Sequence, residues 1–207
     1  MIMKIEICGG IASGKTTLAS LFDSTSHTVL LESFEQNPFW KAFFNNPGRY
    51  TFETEVSFLL QHYHQIKAEA PETGIFLCDY SFVLDRAYAD VGLAGSKHDA
   101  FERVHREIRD EIGLPDLIVL LKCNAEEELR RIRNRGRSVE ESIDIEFLSS
   151  LNQAVYDRFE DLREMAPSHV IDSTDRDFAH MNEERVQVLQ ELQSKIGEVR
   201  ESRSETG

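Results

Sequence analysis

Apolar side chains along this chain fall into two kinds of pattern. Short β-branched or apolar runs occupy residues 4–8, 28–31, 75–78, 116–121 and 169–171, and each reads as a strand. Between them lie longer stretches with helical patterning, which predict helices over 15–22, 38–44, 51–69, 82–92, 100–112, 125–135, 145–165 and 178–196. Strands that alternate with helices predict an α/β fold with a five-stranded parallel sheet flanked by helices on both faces. In such sheets the ligand crevice lies at the carboxyl ends of the strands. The residues just past each strand, Gly9, Glu32, Asp79, Lys122 and Asp172, are therefore the first to inspect. No internal repeat or low-complexity linker interrupts the pattern. Residues 1–196 are expected to form a single domain, and the polar segment 197–207 to fray as a disordered tail.

Composition narrows the partners. A chain of 207 residues suits one compact domain with a sizeable core. Its formal net charge of -14 repels a nucleic-acid backbone, so polymeric DNA or RNA is not an expected partner. Any phosphate site must then be built locally. Cys8, Cys78 and Cys123 each close an apolar run and none sits in a CxxC pair, which reads as buried free thiols in a reducing compartment. No segment approaches a membrane-spanning length, so no membrane partner is expected and the location expected is the cytoplasm.

Such a local site is visible at the first strand end. Gly9, Gly10, Ile11, Ala12, Ser13, Gly14, Lys15 and Thr16 fit the G-x-x-x-x-G-K-[ST] pattern, with Thr17 next, a strand before and a helix after. Glycines let backbone N–H groups turn inward around phosphate oxygens. Lys15 supplies a point charge for the β- and γ-phosphates, and the Thr16 hydroxyl suits magnesium. The cofactors implied are ATP and Mg2+. The loop by itself serves ATPases, GTPases and small-molecule kinases alike.

Two further features bear on that choice. Glu32 follows the second strand, where a carboxylate could take a proton from an acceptor hydroxyl, or could be a solvated loop side chain. Residues 130–137 hold five arginines in eight positions. They read either as a solvated helix face paired with Glu126, Glu127 and Glu128, or as an Arg-rich helical lid over a triphosphate, with Gly136 at the bend.

The motifs together resemble the deoxynucleoside kinases, from about residue 3 to about residue 180. The resemblance rests on Gly9 to Thr16, the Glu32 segment, Asn37-Pro38-Phe39 with Asn46-Pro47-Gly48-Arg49-Tyr50, the Asp79 segment, Arg131 to Glu141, and Asp177-Phe178. It implies the P-loop NTPase fold with a lid at about 130–141, a homodimer, and transfer of phosphate to the 5′-hydroxyl of a deoxynucleoside. By resemblance Glu32 is the general base, and Arg131, Arg135 and Arg137 hold phosphates. The resemblance likewise implies that Glu140 binds the sugar 3′-hydroxyl. It also implies that Asp85 and Arg86 lie near base and phosphates, Asp177 and Phe178 beside the adenine of ATP, and Asp79 near magnesium.

The chain also departs from that pattern. Tyr80 stands where many members have an arginine, Phe44 where many have a tyrosine, Glu55 where a base-reading glutamine is usual, and His62 where some have an arginine paired with the residue at 85. Glu55 and His62 are seven apart and share a helix face. An ionised Glu55 would suit the two donors of guanine and a protonated one would suit adenine, so a purine is expected, guanine slightly ahead. Two other readings stay open: a kinase of nucleoside monophosphates resembling thymidylate kinase, with Lys41 and Arg49 as extra cations, and a nucleotide-binding regulator that has lost turnover.

Overall fold

A computed structural model describes residues 2–22 and 27–205. Five strands form one sheet: β1 (Ile2–Gly9), β2 (His27–Leu30), β3 (Gly74–Cys78), β4 (Leu117–Lys122) and β5 (Ser168–Asp172). Their order is β2-β3-β1-β4-β5 and every pairing is parallel. Eight α-helices connect and cover them among the described residues: α1 (Lys15–Ser20), α2 (Trp40–Asn45), α3 (Pro47–Glu69), α4 (Phe82–Gly92), α5 (Gly95–Ile112), α6 (Ala125–Arg135), α7 (Ile145–Arg163) and α8 (Asn182–Glu205).

The strands are apolar because both faces are covered. Side chains alternate across the sheet. Met3, Ile5, Ile7, Ile75, Leu77, Leu117, Val119 and Leu121 face Leu18 of α1 and Val188, Leu192, Ile196 and Val199 of α8. On the opposite face, Cys8, Ile118 and Leu120 meet α4 and α7, while Leu30, Phe76 and Cys78 meet α3 and α5. The three cysteines are free and buried, as expected. With β1 central, its carboxyl end opens at Gly9 between β3 and β4, so the glycine-rich loop occupies the middle of the crevice.

Several helix boundaries differ from the sequence reading. α3 starts at Pro47 rather than 51, because a proline at the first helical position loses no hydrogen bond and its φ is already helical. Residues 197–205 are helical rather than frayed. α8 runs on to Glu205, with Val199 5% exposed against the core and Arg203 2.7 Å from Asp116. Its charges occupy the outward stripe of a helix whose inward stripe is apolar. Residues 206 and 207 lie outside the described residues. No described helix is long and apolar enough to cross a membrane.

Candidate active site

A cavity of about 940 Å³ lies over the carboxyl ends of the strands. Its floor is the loop between β1 and α1. Gly14 adopts a left-handed conformation (φ 107°), and a Cβ there would come within 2.8 Å of the Phe178 ring. A Cβ on Gly10 would strike Asn152 and Glu128. Both positions therefore need glycine to hold the loop this close to its supports. Lys15 donates to the carbonyls of Gly9 (2.9 Å) and Gly10 (2.7 Å), so its ammonium is held at the mouth of the loop. Burial lowers the Lys15 pKa, against the pull of Glu32, Asp79 and Glu128.

Asp79, at the end of β3, is 1% exposed and accepts the Glu32 backbone N–H at 2.6 Å. Burial raises its pKa, and a hydrogen bond from the Thr16 hydroxyl opposes that shift. A hydroxyl beside a carboxylate, both oxygen donors, is a set that suits a hard divalent cation such as magnesium.

At one end of the cavity α6 meets the loops. Arg131 bonds the Glu127 carboxylate (2.7 Å), the Ala12 and Ser13 carbonyls (3.3 Å each) and the Ser173 carbonyl (2.5 Å). It thereby ties α6 to the glycine-rich loop and to the segment after β5. Arg135 and Arg137 both reach Glu140, at 2.7 and 3.3 Å, and Arg137 lies 4.3 Å above the Phe34 ring. Asp177 holds His180 at 2.9 Å.

At the other end the wall becomes aromatic and acidic. Phe34 and Trp40 are 4.7 Å apart, Trp40 meets Phe44 at 5.8 Å, and Phe58, Tyr88, Glu55 and Asp85 complete the lining. Glu55 is 3% exposed. Burial, then the charges of Asp85 and Glu32, push its pKa well above the ordinary carboxylate value, against a weaker pull from His62. Glu32 sits between the two ends. Burial would raise its pKa, but His62, Lys15 and Arg137 outweigh that effect and hold it below the ordinary value. One cavity thus joins a cationic end to an aromatic end that holds two buried acids, with the Glu32 carboxylate between them.

The family described as "Deoxynucleoside kinase" matches this chain over residues 5–197. The chain belongs to that family. Relatives agree in kind. The deoxyguanosine kinase of Bacillus subtilis is 25% identical over 178 residues, covering 84% of this chain and 86% of its own. That of Lactobacillus johnsonii is 27% identical, covering 94% and 93%. The deoxyadenosine kinase of Dictyostelium discoideum is 25% identical, covering 79% and 69%. Among solved structures, deoxyadenosine kinase from M. mycoides with bound dCTP superposes with a TM-score of 0.79 at 19% identity, covering 93% of this chain and all of that one. At that identity the likeness establishes the fold.

Most residues singled out in this kinase's sequence line the one cavity: Ile11, Ala12, Gly14, Lys15, Thr16, Thr17, Glu32, Phe44, Glu55, Asp85, Arg131, Arg135, Arg137, Glu140, Asp177 and Phe178. Gly9, Gly10, Ser13 and Asp79 are buried beneath its floor. Arg86 is a correction. Neighbouring residues on a helix diverge by about 100°, so with Asp85 facing the cavity Arg86 turns away, pairs with Glu102 at 2.7 Å and lines a separate cavity. Tyr80 and His62 do not line the cavity either. They are 1% exposed and stack on each other behind it, ring centroids 4.1 Å apart. Glu128, which one reading of the sequence pairs with a solvated arginine face alongside Glu126 and Glu127, is instead fully buried under the glycine-rich loop. Phe58 and Tyr88 were not anticipated, although each lies three residues after a singled-out carboxylate, Glu55 and Asp85, on the same helix face.

Proposed function

We propose that this deoxynucleoside kinase transfers the γ-phosphoryl of ATP, with magnesium, to the 5′-hydroxyl of a purine deoxynucleoside, giving the 5′-monophosphate. The observation that carries the reading is Glu32, an ionised carboxylate at the junction of the two halves of the cavity. The acceptor O–H passes its proton to Glu32 as the O5′–P bond forms and the bond from phosphorus to the β-phosphate oxygen breaks, releasing ADP. Lys15, Arg131, Arg135 and Arg137 balance the charge that spreads over the transferring group. Thr16 and Asp79 would hold magnesium, which would supply positive charge against the phosphates.

Glu140, paired with Arg135 and Arg137 here, would meet the sugar once substrate competes for those partners. A neutral Glu55 offers one donor and one acceptor, as a glutamine does. That pair matches the N1/N6 edge of adenine and the N1/O6 edge of guanine, and the named activities of the relatives support a purine. Acceptance of a monophosphate is not favoured, because Lys41 and Arg49 do not line the cavity. Segment 130–141 would act as the lid. Resemblance to the family supports a homodimer working in the cytoplasm.

A coupled assay with ATP and magnesium against the four deoxynucleosides and their monophosphates tests the reading, with Glu32→Gln as control. Turnover on deoxyguanosine or deoxyadenosine, reduced about 10²- to 10⁴-fold in the control, is expected. Best turnover on thymidine or deoxycytidine would refute the purine assignment, and turnover on monophosphates alone would refute the reaction.

A further inference from the structure

Helix α3 grips the loop that carries Glu32 at three consecutive residues. Gln61 donates to the Ser33 carbonyl at 2.9 Å and Gln65 donates to the Leu31 carbonyl at 3.3 Å. Between them His62 reaches the Glu32 side chain, with Nε2 3.3 Å from Oε1. The other ring nitrogen, Nδ1, lies 3.0 Å from the carboxylate of Asp85 on α4. The ring is 1% exposed and fixed in plane by Tyr80, at 4.1 Å and 11°. Nε2 has no well-aligned hydrogen-bond acceptor in this state, so its interaction with Glu32 is that of an ion pair. A buried imidazole between two carboxylates is most stable as the imidazolium, which donates from both nitrogens.

We infer that His62 is the positioning residue for the reaction, a buried imidazolium that fixes the Glu32 carboxylate at the reacting end and Asp85 at the nucleobase end in one rigid unit. The inference rests on the proposed role of Glu32. The side chains behind this unit fit it. Arg86 faces another cavity, leaving His62, Lys15 and Arg137 as the cations acting on Glu32. The anions facing His62 are Glu32 from the loop after β2 and Asp85 from α4, with Glu55 from its own helix near enough to feel its charge. Tyr80 supplies an uncharged stacking face from the turn after β3, and the Asp79 carboxylate accepts the backbone N–H of Glu32. Burial disfavours charge on His62, but Asp85 and Glu32 overcome it and raise its pKa to about 10. The unit therefore stays charged across the working range, and Glu32 keeps a deprotonated, aimed oxygen.

The test compares His62→Gln, which removes the charge, with His62→Arg, whose planar cation can stack on Tyr80 and donate to both carboxylates. In His62→Gln, kcat should fall at least about tenfold and the acidic limb of its pH profile should rise by about one unit, since Glu32 loses its cation. The KM for ATP should stay within about twofold, and His62→Arg should recover most of the loss. In a Glu32→Gln background the His62→Gln change should cost less than about twofold more. An unmoved acidic limb, or equal losses in both His62 variants, would overturn the inference. If His62→Gln does not fold, NMR of the His62 imidazole in wild type and Glu32→Gln answers the question without turnover. The ring should release its proton at lower pH once Glu32 is neutral, and an unchanged titration overturns the inference. Wild type inactive on every deoxynucleoside sinks the proposed reaction instead, while the imidazole titration still reads the coupling.

Discussion

Replacing Glu128 by glutamine should stabilise the kinase, and by an amount that grows with pH. The Glu128 carboxyl is fully buried beneath Gly10, with Oε2 2.8 Å from Asn152 and Oε1 without a partner. Burial raises its pKa from an ordinary 4.5 to about 8, against the opposing pull of Asn152, Lys15 and Arg131. Between these two values the folded chain holds a proton that the unfolded chain has released. Folding stability from this group is fully present below 4.5 and is lost as pH rises through 8, at about 1.4 kcal/mol per pH unit. From pH 5.5 to 7.5 the loss is about 3 kcal/mol.

Glutamine has nearly the same shape and can still accept from Asn152, but it does not titrate. The stability difference between variant and wild type should therefore widen by about 3 kcal/mol across that window, or roughly 6–12 °C in Tm. Urea unfolding followed by circular dichroism, without nucleotide so that binding does not stabilise the native state, measures it. Contributions from every other titrating group cancel in the difference. A difference that stays flat within about 1 kcal/mol from pH 5.5 to 7.5 would refute the reasoning and mean that Glu128 is solvated or paired in the folded chain.

Three further outcomes are expected. Arg86→Ala should leave kcat/KM for the deoxynucleoside within about twofold and stability within about 1 kcal/mol, since its pair with Glu102 is partly exposed; a large kinetic loss would return Arg86 to the reacting centre. Phe178→Ala should cost about 3–5 kcal/mol in chemical unfolding by opening a cavity under Gly14, and should also raise the KM for ATP. Cys8 and Cys78, whose thiols burial pushes far up, should resist alkylation in the native state and react only on unfolding, which a thiol-specific reagent at neutral pH will show.

The fold and the phosphate cradle were legible because their signals are local. Apolar runs bounded by turns mark the strands, and the glycines and Lys15 sit in consecutive positions at a strand end. What stayed hidden depends on contacts between distant segments. Glu32 and His62 lie thirty residues apart, and nothing in either neighbourhood reveals that one helix clamps the other's loop. Glu128 belongs to a run of three glutamates, and the run looks uniformly solvated until α6 is docked against Gly10. Only then does the third residue turn inward while Glu127 stays with Arg130 and Arg131. Arg86 was misjudged for a geometric reason. The resemblance carried Asp85 and Arg86 over as one pair at one site, but consecutive helical positions face different directions. Fraying was expected from 197 because the segment is polar, whereas Val199 continues the inward stripe begun at Val188 and the helix runs to Glu205.

That stripe bears on how the protein is made. The sheet face formed by Met3, Ile5, Ile7, Leu117, Val119 and Leu121 is covered largely by Val188, Leu192, Ile196 and Val199. A ribosome that has produced everything through β5 has all five strands available, yet one side of the sheet lacks its principal apolar cover. Until α8 emerges, the nascent chain presents a sticky, strand-rich surface of the kind that holdase chaperones bind and that drives aggregation. Yield in cells should therefore track how quickly α8 docks, and mutations that weaken its apolar stripe should appear first as insoluble protein rather than as an impaired enzyme.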